Sequence, residues 1–281
     1  MGKYFTVTVR PTIPASKQHL GDFANGDALF DWQEFNVPKG ANRLLNVTAI
    51  VRKEDGTTTN EFPFSLVFGK SINKTAPNSI GTLHATANGI GYQHNLIGKA
   101  MFIEKDNLSK LDNVEIFTLN AGGADSDHMD IVLEGEPDSG INVGFDKLFV
   151  AGIAEGTLNF STAIETSRAV DISGLSAAQL VNADIQGTDP RTVFAPGDII
   201  HAEDDVILGE IESMADANTI TFKTDGSKVL HANGETLFTN ANGLAAFVLQ
   251  NDATDADAGD LASGDELYNV HPITLIFSFE R

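Results

Sequence analysis

The chain has 281 residues, 42% of them hydrophobic, with 39 acidic against 18 basic side chains and a formal net charge of −21. It contains no cysteine, which excludes disulfides, cysteine-ligated zinc, iron–sulfur clusters and thiol nucleophiles. The surplus of acid opposes binding to nucleic acid, whose phosphates need Lys and Arg, and to anionic membrane surfaces; it favours solubility and divalent cations.

The length suits one large or two modest domains. No run approaches the roughly 20 apolar residues of a membrane span. The opening "MGKYFTVTVRP" has no apolar core of the signal-peptide kind, so no signal peptide is expected.

Strand signals begin at once. "YFTVTV" (4–9) is β-branched and aromatic. "FANGDALFDWQEFNVPKG" (23–40) gathers Phe23, Phe30, Trp32 and Phe35, which suit either a buried segment or a contact patch for a partner. "LLNVTAIVR" (44–52) alternates, with Leu45, Val47, Ala49 and Val51 on one face. Asp55-Gly56 then separates it from "TTTNEFPFSLVFG", a hairpin signal because Gly accepts positive φ. Pro63 marks an edge or a strand start.

Further strands are expected at 99–104, 114–119, 129–134, 147–153 and 156–164, separated by turn-rich runs such as "NAGGADSD" and "GEPDSG". Helix is scarce. The best candidate is 173–183, where Ser176 and Gln179 have capping-box spacing; a short helical turn at 107–112 is the other. Four short strands follow at 198–202, 206–213, 218–223 and 227–230. The polar run "NDATDADAGDLASGDE" (251–266) leads to "HPITLIFSFER", in which Ile273, Leu275, Phe277 and Phe279 share a face.

These elements predict an all-β protein. Its main domain is a β-sandwich, jelly-roll-like, over 1–172 and completed by 244–281. A helical or loop linker covers 173–192, and an inserted small SH3-like β-barrel covers 193–243. The first and last strands are expected in one sheet. No repeat of 20–50 residues is visible.

The stretch "APGDIIHAEDDVILGEIESMADANTITF" raises the question of chemistry. It places His201, Glu203, Asp204, Asp205, Glu210 and Glu212 within twelve residues. In the predicted strand Glu210 and Glu212 share one face, Gly209 and Ile211 the other, as a half-exposed strand requires. The sequence has no G-x-S-x-G elbow, no H-E-x-x-H and no phosphate loop, and its seven histidines have no metal-site spacing. Two acidic loops remain as calcium candidates against the plainer reading of solvated turns: Asp125, Asp127 and Asp130, and Asp252, Asp255, Asp257 and Asp260. Neither has the EF-hand spacing. No catalytic residue and no cofactor are assigned.

The pattern Pro196-Gly-Asp-Ile-Ile-His201, then Ile207-Leu-Gly-Glu-Ile211, then Asn218-Thr-Ile-Thr-Phe222 resembles small barrel modules in virion structural proteins of tailed phages, in particular marine, cyanophage-like viruses. The resemblance covers about 30 residues, and it carries no family binding residue onto this chain. It implies a non-catalytic particle component made in the host cytoplasm: a capsid decoration protein on the outer surface, or else a neck, tail or fibre component. Implied partners are the major capsid protein or other virion proteins, with the protein itself a homo-oligomer and neither nucleic acid nor membrane bound. A calcium-dependent carbohydrate-binding β-sandwich is the competing reading; one tryptophan and three tyrosines are few for a sugar-stacking cleft.

Overall fold

The structure, a computed structural model, describes residues 3–18, 20–52, 63–73, 75–102, 107–111, 114–120, 131–136, 146–160, 164–166, 185–186, 189–202, 205, 207–215, 220–230, 236–240, 246–247 and 266–281. The first elements are β1 (Tyr4–Val9), α1 (Ala15–Gln18), β2 (Ala28–Asn36), β3 (Asn42–Arg52), β4 (Phe64–Gly69), β5 (Leu96–Phe102), β6 (Asn107–Leu111), β7 (Val114–Asn120), β8 (Ile131–Leu133) and β9 (Lys147–Ala154). They continue with β10 (Ile164–Thr166), β11 (Ile185–Gln186), α2 (Pro190–Val193), β12 (Ile199–Ala202), β13 (Ile207–Ser213), β14 (Thr221–Phe222), β15 (Thr224–Leu230), β16 (Thr236–Asn240), β17 (Ala246–Phe247), β18 (Glu266–Asn269) and β19 (Ile273–Glu280). Among the described residues the protein is all-β apart from two four-residue helices and one 3-10 turn at Ile90–Tyr92. Chain contacts divide it into two units, Met1–Ile13 with Leu20–Phe160 and Pro272–Arg281, and Pro14–His19 with Ser161–His271.

The first unit is a sandwich of two antiparallel sheets. One runs β1-β19-β3-β7-β6, with β8 beside β3; the other runs β2-β9-β4-β5. The expected pairing of the terminal strands is present: β1 lies antiparallel to β19 from Tyr4 opposite Glu280 to Val9 opposite Leu275. Side chains from both sheets fill the space between them. Phe277 of β19 meets Phe35 of β2 at 5.2 Å and Phe68 of β4 at 5.6 Å, and Phe117 of β7 meets Phe102 of β5 at 5.8 Å. The alternation in β19 reads out directly, because Ile273, Leu275, Phe277 and Phe279 are all fully buried.

The alternation in β3 holds only in part. Val47, Ala49 and Val51 are buried, but Leu44 is buried where Leu45 was expected. The register explains it. Ser278 faces Asn46 and Phe279 faces Leu44, so Leu45 is the extra residue of a β-bulge, and every position before it changes face.

The Asp55-Gly56 turn lies outside the described residues, but the pairing expected across it is corrected. Both neighbours of β3 are taken, by β19 and β7, and β4 pairs instead with β5 and β9 in the other sheet. β4 is buried at all six positions. Phe64, Leu66 and Phe68 join the sandwich core, while Val67 packs on the outer side with Ile80, Tyr92, Ala28 and Ala151 under the segment 70–95. A strand covered on both faces loses its alternation, which is why it reads as a continuous apolar run. The helical turn expected at 107–112 is also corrected: 107–111 is β6, paired with β7. Of the strand expected at 156–164, the described residues hold isolated bridges at Leu158, which pairs with Phe23, and at Phe160, and β10 starts at Ile164.

In the second unit the four short strands expected to close one barrel are divided. β12, β13 and β14 join β18, β10 and β11 in the order β11-β10-β18-β12-β13-β14, whereas β15, β16 and β17 form a three-stranded sheet. Besides β13, β12 pairs with β18, from Ile200 opposite Asn269 to Ala202 opposite Leu267, so among the described residues the local hairpin pattern extends through a distant strand. The helix expected at 173–183 lies outside the described residues.

Candidate functional site

The acid-rich stretch belongs to the second unit. β12 and β13 lie antiparallel, Ile199 opposite Glu210 and Ile200 opposite Gly209, with a register shift at His201. Burial follows the expected faces: Gly209 and Ile211 are buried, Glu212 is exposed. Asp205 sits in the turn between the strands with φ 71°. That left-handed conformation is tolerated by Asp better than by most residues.

The Asp205 carboxylate accepts the Ser16 backbone N–H at 2.9 Å and the Ser16 hydroxyl at 2.5 Å. Two residues on in α1, the buried Gln18 donates from Nε2 to the Asn269 carbonyl of β18 at 2.9 Å. The segment Pro14–Gln18 is thereby fastened both to the β12–β13 turn and to the strand beside β12. Nothing local in the sequence announces this, since Ser16 and Asp205 are 189 positions apart.

A hydroxyl, a carboxylate and an imidazole thus meet here, but not in an order that activates the hydroxyl. Base catalysis needs the imidazole between the hydroxyl and the carboxylate. Here the carboxylate is central. It holds Ser16, while Nδ1 of the buried His201 lies 4.0 Å from its Oδ1, beyond hydrogen-bond distance. The arrangement anchors a turn. Other acids of the stretch are engaged in the same way. Asp198 accepts the Ala195 N–H at 2.7 Å, and Glu210 accepts Lys223 Nζ. Glu203 and Asp204 lie outside the described residues.

A second polar group lies in the first unit, on the outer side of the β2-β9-β4-β5 sheet. Glu155 Oε1 accepts both the hydroxyl of the fully buried Ser65 and Lys99 Nζ, the latter at 2.9 Å. Burial is the largest single influence on Glu155 and acts to raise its pKa. The hydrogen bonds from Ser65 and Lys99, with the Lys99 charge, together outweigh burial and leave the carboxyl below its ordinary range. A carboxylate held ionised by two donors is an acceptor site, not a general acid.

The aromatic stretch is corrected as a contact patch for three of its four rings. Phe23 and Phe30 have no exposed surface and Phe35 has 4%, so they offer a partner no area. Phe23 packs against His84 at 4.3 Å and Phe160 at 5.5 Å. Trp32 is half-buried. Its ring lies edge-on to Tyr92 at 5.4 Å, and its Nε1–H donates to the Asn78 carbonyl at 2.8 Å. It ties the segment 70–95 to the sheet.

The calcium candidates Asp125, Asp127, Asp130, Asp252, Asp255, Asp257 and Asp260 all lie outside the described residues. Among the described residues no three His, Asp or Glu side chains converge to hold a metal ion. Compared with protein-family models and with curated protein sequences, the chain finds no significant match.

Proposed function

We propose that this chain is a non-catalytic virion structural protein that decorates the outer surface of a phage capsid. One observation carries the non-catalytic half of this reading: the acids at Asp198, Asp205 and Glu210, in the densest cluster of the sequence, are engaged in holding backbone turns and a lysine. The virion half rests on the resemblance of the 196–222 pattern to tailed-phage barrel modules. The net charge of −21 favours the outer surface over the DNA-filled interior. Such a role needs buried contact area between subunits, not a reactive side chain. The major capsid protein is the proposed partner, with the decorating protein itself a symmetric oligomer.

The test compares negatively stained phage particles with and without the protein. Particles lacking it regain density on the outer capsid when the purified protein is added. Failure of stripped particles to bind it removes the capsid role, and immunogold label at the neck, tail or fibres moves it there.

A further inference from the structure

The sandwich leaves one strand edge in a condition that calls for a partner. β1 pairs with β19 on one side, and no described strand lies on its other side. Lys3 and Arg281 exchange backbone hydrogen bonds, Arg281 N–H to the Lys3 carbonyl at 3.0 Å and Lys3 N–H to the Arg281 carbonyl at 3.4 Å. In an antiparallel ladder this fixes the direction of every following group. Phe5, Val7 and Val9 bond inward to Phe279, Phe277 and Leu275. The N–H and C=O groups of Tyr4, Thr6 and Thr8 therefore point outward along an open edge.

Natural sheets blunt such edges with charge, proline, bulges or a covering segment. Among the described strands the other edges of this sandwich are blunted or very short, β8 being an edge of only three residues. β2 carries Asp31 and Glu34 with two register shifts, β5 carries Lys99 with one, and β6 carries Lys110 with one. β1 has a regular register and no charged residue from Tyr4 to Val9. Phe5 and Val7 pack on the core yet stay only half-buried, so an added strand would cover apolar surface as well as pair backbone.

Charge selects the occupant. The edge is bounded by exposed cations, Lys3 with Arg281 opposite it at one end and Arg10 at the other. The nearby Glu280 carboxylate already faces Arg43 at 3.8 Å. A second copy of β1, paired antiparallel about Thr6, would set Lys3 opposite Val9 and offer no carboxylate to the cations at either end, whereas a strand with a carboxylate at each end answers them. We infer that the open edge of β1 binds an extended protein segment that carries a carboxylate at each end of an uncharged, β-branched stretch, and adds it to the sheet as a further strand. This stands apart from the virion reading, since such a segment exists in many proteins.

The experiment follows backbone amide exchange in the full chain by NMR, with millimolar Glu-Thr-Val-Thr-Val-Thr-Val-Glu or its twin with Lys at both ends. The acid-ended peptide slows exchange of the Tyr4, Thr6 and Thr8 amides by about tenfold or more, and the Lys-ended twin leaves them unchanged. Thr6→Pro removes an outward N–H without breaking the β1–β19 ladder. It abolishes that protection while Phe5 and Val7 stay protected. The double variant K3E/R10E reverses the peptide preference. Protection by both peptides alike, by neither, or persisting in Thr6→Pro overturns the inference. So does protection that rises with protein concentration alone, which would assign the edge to a second copy.

Discussion

Asp205 accepts two hydrogen bonds from one residue, Ser16, through its backbone N–H and its hydroxyl, although 189 positions lie between them. The same residue holds the only described left-handed backbone in the β12–β13 turn, φ 71°. Asp205→Ala loses both acceptors and places a less tolerant residue at that φ, and is expected to cost about 1–2 kcal/mol. Asp205→Gly relieves the backbone but still loses the acceptors, so it recovers only part of that. Urea unfolding of the three proteins measures the order; a glycine variant as stable as the parent shows that the Ser16 bonds contribute nothing.

Gly152 in β9 lies against the buried Phe30 ring: an added Cβ would overlap Cε1 and approach Cδ1 and Cζ within 2.7 Å. The ring has no exposed surface and nowhere to move. Gly152→Ala is expected to destabilise the sandwich by about 1–3 kcal/mol through overpacking. Shrinking the ring in the double variant Gly152→Ala with Phe30→Leu recovers part of the loss, a coupling that a double-mutant cycle reads directly.

Glu155 makes part of the stability of the first unit depend on acid. Its carboxyl is lowered by Ser65 and Lys99 in the fold, against the opposing effect of burial. A depressed folded value means the contribution is present above the ordinary glutamate range and is lost as pH falls through that range toward the folded value. Glu155→Gln removes this dependence. Melting temperatures across the acid range should therefore converge for parent and variant at low pH and separate above it; parallel curves would exclude the linkage.

The single tryptophan gives the 70–95 segment an optical probe. A Cβ on Gly69 would lie 3.0 Å from Cζ3 and 3.2 Å from Cη2 of Trp32. Gly69→Ala is expected to lift the ring from the sheet, weaken its bond to the Asn78 carbonyl and shift its emission to longer wavelength. An unchanged spectrum would show that the ring yields without leaving its place.

The strands of the sandwich were legible because one buried face imposes a period of two, as the fully buried Ile273, Leu275, Phe277 and Phe279 show. What escaped was everything decided by a distant partner. Leu45 lost its place because a bulge against Phe279 exists only once β19 is docked. The strands flanking Asp55-Gly56 carry a hairpin signal, yet they separate because each finds better-buried neighbours elsewhere. At the candidate site the density of acid was visible and its use was not. Asp205 looks the same in sequence whether it meets a metal, a substrate or the Ser16 hydroxyl.

β19 occupies the place between β1 and β3 in its sheet. A ribosome delivers β19 after every other described strand, so the growing chain carries the apolar face of Val47, Ala49 and Val51 without its central neighbour until β19 emerges. The first sheet therefore stays incomplete until β19 emerges, and through that interval the nascent sandwich depends on chaperones or on speed to keep its strands from pairing with other chains.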